Sequence, residues 1–396
     1  MGTADPDPAS RGTTPSRRLV LLGAALLIAA AGAVALARDR SPDAETSRGA
    51  SEQLYGAQTH PFWTGSGPSD VRRELDLAAA AGLDVVRVDL AWSSLEPERK
   101  GRFSRPLVAQ VDRFLDEADR RGIRVIATLW GTPCWASSAP RSLRAGCLGR
   151  WWDRGVDRHP PRRARDYADA AAWTAARWGG RLEALEVWNE PNLRVQPFLR
   201  ARDPARAYAA ILRTAYPRIK RAAPRLTVVA GALAFADAGF LERLYDLGLR
   251  GSYDALSIHP YSESRSPAAW SRHGSRFSFA AGIEAIRALM VARGDGDVPL
   301  WLSEVGWSTC TGDPKWCVSA ADQASFVADA VRLARRWPFV RALIVYNLRD
   351  KGYDRADRES GFGLVRRDYR PKPAYDALRR ELRRRGPDRV VGGPPW

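Results

Sequence analysis

From residue 55 onward the chain alternates two hydrophobic rhythms. Short, nearly continuous Val/Ile/Leu runs recur at regular intervals, and longer stretches with apolar residues three and four apart lie between them. The short runs predict strands at 55–60 (YGAQTH), 84–92 (DVVRVDLAW), 123–130 (IRVIATLW), 182–190 (LEALEVWNE), 226–233 (LTVVAGAL), 253–261 (YDALSIHPY), 298–307 (VPLWLSEVGW) and 340–348 (VRALIVYNL). Unbroken apolar runs suit strands covered on both faces, as in a parallel sheet.

The intervening stretches carry helix start and stop signals. Ser104-Arg105-Pro106 opens a run with Val108, Val111, Leu115 and Ala118 on one face, and Gly122 closes it. Asp203-Pro204 opens a second, with a capping side chain followed by Pro at the first turn. Ser69, with Asp70, opens a helix closed by Gly82, and Ser319 opens one that ends near Trp337. Eight strands alternating with helices predict a single (β/α)8 TIM barrel over residues 55–380. The rival, a doubly wound open sheet, usually has a Gly-rich turn after its first strand, and none is present.

Outside that repeat the chain changes character. Residues 1–18 are polar and end in Arg17-Arg18, and residues 19–37 (LVLLGAALLIAAAGAVALA) are uncharged. Charge, apolar run and the triplet Ala35-Leu36-Ala37 fit a signal peptide with a cleavage site. The run is also long enough to serve as an uncleaved transmembrane anchor. SRRLVL loosely matches a twin-arginine signal, so the export route stays open. Either reading places residues 55–380 outside the cytoplasm, secreted or held at the membrane. Residues 38–54 read as a linker and 381–396 as a basic tail.

The cysteines agree with an oxidising compartment. Cys134 and Cys147 fall in one predicted loop, and Cys310 and Cys317 in another, so two short-range disulfides are the simplest pairing of the three that four cysteines allow. A zinc site is the weaker alternative, for want of CxxC spacing or neighbouring histidines. The net charge of +17 is spread over helix faces and the tail, without an aromatic–basic recognition module, so nucleic acid is not an expected partner. A compositional habit of using Arg where Lys is scarce accounts for that charge, and attraction to an acidic polymer or membrane surface is its functional alternative. Segment 131–165 is longer than an ordinary βα loop. With Trp135, Trp151, Trp152 and one cysteine pair, it is expected to form an ordered wall of a cleft.

Barrel enzymes keep their chemistry at the C-terminal ends of the strands. Asn189 and Glu190 end the fourth predicted strand and Glu304 lies near the end of the seventh, across the barrel mouth. Two facing carboxylates are what glycoside cleavage needs: one protonates the leaving oxygen and the other attacks or stabilises the anomeric carbon. Burial and the second negative charge would raise the pKa of the acid.

EVWNEPN followed by LWLSEVGW resembles the retaining glycoside hydrolases of clan A, cellulase-like and family 39-like barrels in which an Asn-Glu pair ends strand four and a lone Glu ends strand seven. The resemblance implies that Glu190 is the acid/base, Glu304 the nucleophile, and Asn189 the holder of the sugar 2-hydroxyl. It also implies an Arg87 that keeps the nucleophile ionised, a Tyr261 that orients it, a His259 that holds the acid/base or the sugar, and a sugar-binding His60. Trp92, Trp130, Trp188 and Trp307 are candidates to stack on sugar or to fill the core. YNLRDKG and GFGLVRRDYRPKPAY resemble the closing segment of these barrels, with Tyr346 where a Trp often lies beneath the sugar and Asp350 and Lys351 at the rim.

The implied activity is hydrolysis of O-glycosidic bonds in a cell-surface or extracellular polysaccharide or oligosaccharide, by a monomer without metal or organic cofactor. Four histidines without an HxH pair disfavour a metal-dependent hydrolase. Lys100, Lys220, Lys315, Lys351 and Lys372 all fall outside strand cores, which disfavours Schiff-base chemistry. A non-catalytic sugar-binding barrel and a transglycosylase are the surviving alternatives.

Overall fold

The structure is a computed structural model that describes residues 53–63 and 66–384. The apolar run 19–37, its polar flank, the linker up to residue 52 and most of the tail lie outside the described residues. Eight strands close into a barrel in chain order, each parallel to the next, and β8 pairs back onto β1. They are β1 (Leu54–Thr59), β2 (Val85–Ala91), β3 (Arg124–Trp130), β4 (Ala184–Val187), β5 (Thr227–Ala234), β6 (Ala255–His259), β7 (Leu300–Val305) and β8 (Val340–Val345). Each is followed by a helix of the outer ring: α1 (Pro68–Ala81), α2 (Arg105–Asp119), α3 (Ala164–Trp178), α4 (Pro204–Ala222), α5 (Ala238–Asp246), α6 (Phe279–Ala292), α7 (Ala320–Ala334) and α8 (Pro373–Arg383).

Local signals explain most helix ends. Ser104 Oγ accepts from Leu107 N at 3.4 Å, Asp203 Oδ1 from Arg206 N at 3.1 Å, and Ser319 Oγ from Asp322 N at 3.0 Å, satisfying donors that the first turn leaves free. α2 buries Val111, Phe114, Leu115 and Ala118 against the barrel. Two boundaries differ from expectation. α1 begins at Pro68 behind Gly67 and not at Ser69, because Pro68 suits the first turn and the Asp70 carboxylate reaches back to Gly67 N at 3.0 Å. α7 stops at Ala334, short of Trp337.

Alternation along the strands sorts the barrel interior into tiers. Leu54, Val85, Ile126, Ala184, Val229, Ala255, Trp301, Ala342 and Ile344 form an apolar plug. Two residues further along their strands come Arg87, Thr128, Glu186, Ser257 and Ser303, all buried and polar. The larger apolar core lies between the outward strand faces and the helices. The plug closes one end, so the polar tier forms the floor of the other.

Cys134 bonds Cys147 and Cys310 bonds Cys317, as the spacing suggested. Segment 131–163 is folded: Trp151 is buried with Cys134, Ala139 and Val156 in a small core of its own. Trp135 meets Trp92 edge to face and donates to Glu96 O at 2.8 Å. Trp135 and Trp151 therefore build structure, Trp152 is exposed, and the one side chain of this segment in the cleft is Arg158.

Candidate active site

β4 is shorter than its apolar run predicted. It ends at Val187, so Asn189 and Glu190 lie just beyond the strand. Trp188 (φ 71°) and Glu190 (φ 42°) both adopt left-handed backbone, which turns the chain sharply there. β5 holds this turn in place. Gly231 (φ 99°) sits in a β5–β6 bulge, where a Cβ would come within 2.4 Å of Ser257 O. The displaced Ala232 carbonyl accepts Glu190 N at 2.9 Å. Asn192 then latches onto Ala234 from both sides, accepting from its N at 2.8 Å and donating to its O at 2.9 Å. The Asn of the final Pro-Asn in WNEPN thus has a structural task that the sequence reading did not assign.

The mouth is organised around Arg87, a fully buried guanidinium on β2. It donates to Glu304 Oε1 at 2.6 Å, Glu186 Oε2 at 2.8 Å, Gln58 Oε1 at 2.9 Å and Asn189 Oδ1 at 2.9 Å. A planar fork with five N–H groups can serve four acceptors in this way. Glu186 is further held by Thr128 at 2.8 Å and Ser257 at 2.7 Å. Burial would raise its pKa, but Arg87 and His259 and these hydroxyls outweigh that and keep it below the ordinary carboxylate value. Glu186, Glu304 and Asp89 drive the Arg87 pKa up against its burial.

Glu304, on β7, also accepts from Tyr261 Oη at 2.9 Å through its second oxygen. Glu190 Oε1 meets His259 Nδ1 at 2.9 Å, and the other ring nitrogen lies 3.2 Å from Ser303 Oγ. One oxygen of Glu190, one nitrogen of His259 and one oxygen of Glu304 all lie within 4.8 Å of one another. Burial pushes the Glu190 carboxyl above its ordinary value; His259 pulls against this and the Glu304 charge reinforces it. Burial disfavours a charged His259, yet Glu304 and Glu190 together bring its pKa above the usual imidazole value. This trio is the set of described residues with donors close enough to share a metal ion. Arg87 and Tyr261 already engage both oxygens of Glu304, so its chemistry is that of a carboxylate pair with a cationic support.

These groups open into a cleft of about 420 Å3. His60 lies just past β1, with Nδ1 3.2 Å from Asp89 Oδ2, and Asp89 also accepts from Trp130 Nε1 at 3.2 Å. Trp130 and Tyr346 line the cleft as expected. Trp307 does not: it is 2% exposed, packs against Phe279 and Phe326, and donates to Arg265 O at 2.9 Å. Lying just beyond the end of β7, it turns to the helix side, and Trp92 and Trp188 are likewise core residues. Asp350 is no rim charge either; it pairs with buried Lys372 at 2.7 Å. Lys351 does reach the cleft, over the rings of Trp63 and Tyr346 and 3.2 Å from Glu359.

The sequence reading missed Asp89, Glu186, Trp63, Phe198, Phe235, Trp316 and Glu359. Asp89 and Glu186 had a signal: each is a charge in an apolar run, with Asp89 two residues from Arg87 on the same strand face. The others come from loops of no regular period.

A family model described as cellulase (glycosyl hydrolase family 5) matches residues 44–334. A beta-glucosidase of Agrobacterium sp. (strain ATCC 21400) is 30% identical over 118 residues, which cover 30% of this chain and 23% of that protein. The chain thus aligns with under a quarter of that relative's length. Among solved structures, a family 39 glycoside hydrolase from the gut symbiont Bacteroides cellulosilyticus WH2 superimposes with a TM-score of 0.65 at 22% identity, covering 84% of this chain and 63% of that one. A GH5_18 protein from Streptomyces cattleya, in complex with Manb1-4GlcNAc, gives 0.63 at 20% identity, covering 87% and 83%. At these identities the likeness is one of fold. With the family match running over more than half of its length, the chain belongs to the cellulase family, glycosyl hydrolase family 5, within clan A.

Proposed function

We propose that this barrel is a retaining glycosidase acting by double displacement, with Glu304 as nucleophile and Glu190 as acid/base. The supporting observation is the close approach of these two carboxyl groups in unlike surroundings. An oxygen of each lies within 4.8 Å of the other, near the spacing of about 5–5.5 Å that leaves no room for a water between carboxylate and sugar. Glu304 is held by a guanidinium and a phenol, one on each oxygen. Glu190 has its pKa raised by burial, which favours a proton at rest.

In the first step Glu304 forms a bond to the anomeric carbon as the glycosidic C–O bond breaks, and Glu190 gives its proton to the departing oxygen. In the second, Glu190 takes a proton from water, the water oxygen bonds to the anomeric carbon, and the Glu304 ester bond breaks. Arg87 holds Asn189 through Oδ1, so the Asn189 amide presents its N–H groups to the cleft, where they suit a sugar 2-hydroxyl. His60, Trp130 and Tyr346 supply the remaining sugar contacts. The apolar run 19–37 and the two disulfides support action outside the cytoplasm on a polysaccharide or oligosaccharide, secreted or anchored. Proton NMR of the first-formed product tests the mechanism: the β-anomer from a β-glycoside is expected, and the α-anomer would overturn it.

A further inference from the structure

The catalytic cleft has a larger neighbour. Behind the loop that follows Glu190 lies a groove of about 720 Å3, and Leu193 lines both spaces. Its charge is lopsided. Arg194, Arg200, Arg202, Arg243 and Arg276 face two carboxylates, Asp203 and Asp237. Both acids are already engaged, Asp203 by Arg243 at 2.9 Å and Asp237 by Arg276 at 3.0 Å. Arg194, Arg200 and Arg202 are exposed, and among the described residues none makes a salt bridge or hydrogen bond with their side chains; the Arg200 guanidinium lies beside Gly155, near the Asp157 carboxylate. The cationic track continues into the cleft itself. Arg200 N donates to Arg158 O at 2.6 Å, and the Arg158 guanidinium lies in the cleft 5.8 Å from the Phe198 ring, near the Asp157 carboxylate but without a salt bridge among the described residues.

We propose that this arginine groove binds an anionic stretch of the glycan, the part that leaves when the bond is cut. The inference rests on the catalytic reading above for its direction, because the groove flanks the loop of the residue that protonates the leaving oxygen. Guanidinium groups whose N–H donors are not taken up by a salt bridge match carboxylate or sulfate substituents with two parallel N–H···O contacts. A concave site with five arginines against two carboxylates concentrates such polymers by long-range attraction, which salt weakens. A neutral glucan would gain nothing from this row of charges.

The test uses the full chain carrying Glu304→Ala, so that ligand is not consumed, and measures binding of oligogalacturonate, a heparin oligosaccharide, a neutral cello-oligosaccharide and polyglutamate at low and high salt. Tighter binding of an anionic oligosaccharide than of the neutral one, by at least about tenfold at low salt and lost at about 0.5 M salt, is expected. The preferred arm tells carboxylate from sulfate. Arg194→Ser/Arg200→Ser/Arg202→Ser should remove the preference, and the triple Lys variant should keep most of it. An unchanged preference in the Ser variant, no preference in the parent, or equal binding of polyglutamate overturns the proposal. Hydrolysis of a small aryl glycoside, too short to reach the groove, reports on the catalytic reading separately: loss of that activity in Glu304→Ala alone supports it whatever the groove does.

Discussion

The Arg87 guanidinium lies 2.6 Å from Glu304 while its opposite edge is tied to Glu186, a carboxylate that faces no solvent. Glu186 fixes Arg87, and Arg87 in turn fixes Glu304 and Asn189. The Glu304 carboxylate is thereby placed from below, by the polar tier of the barrel, and left open to the cleft above.

Breaking that support is expected to cost stability as well as activity. Arg87→Met strands Glu186 without its cation, and removing one partner of a buried pair costs about 3–5 kcal/mol. Arg87→Lys keeps the charge but cannot reach four acceptors, and should fall between. Urea unfolding of the three proteins checks the order.

Tyr261 gives Glu304 a single hydrogen bond at 2.9 Å. A bond to a charged acceptor contributes about 1.5–3 kcal/mol, so Tyr261→Phe should lower kcat/KM by roughly 10- to 100-fold with the fold intact. Steady-state kinetics alongside circular dichroism separates the two effects.

On the proposed mechanism the proton on Glu190 sets the alkaline limb of the pH profile. Burial and Glu304 raise its pKa, so kcat/KM should hold through the ordinary carboxylate range and fall as pH rises through the higher value. Glu304→Gln removes one of the raising charges, and the Glu190 titration should then move down. Carboxyl carbon NMR shifts followed against pH in both proteins measure the direction. Glu190→Gln should slow poor leaving groups by about 10²–10⁴-fold and good ones less, since only the former need the proton.

Gly231 is a test of how the backbone aims the acid. A side chain there meets Ser257 O at 2.4 Å and a φ of 99°. Gly231→Ala should destabilise by about 1–3 kcal/mol. It should also slow the protonation-dependent step more than binding, because the Ala232 carbonyl that holds Glu190 would shift. A drop in kcat with nearly constant KM is the expected signature.

The barrel was legible because its strands are continuous apolar runs separated by capped helices; Glu304 was legible because it lies near the end of such a run, and Arg87, His259 and Tyr261 because they fall where the clan A pattern places such residues. What escaped had no periodic signal. The turn that carries Asn189 and Glu190 off β4 depends on a bulge in β5, about forty residues away in the chain. Trp307 adjoins Glu304 in sequence but faces the helices, since a bulged strand end breaks the alternation that would tell in from out. Trp63 and Glu359 reach the cleft from loops whose course only tertiary contacts define.

The central claim is that Glu304 forms the glycosyl ester. Incubation with an activated 2-fluoro glycoside, then digestion and mass spectrometry, tests it directly. The account predicts one adduct, on the peptide containing Glu304 and on that side chain. An adduct on Glu190, or on any other residue, would contradict it.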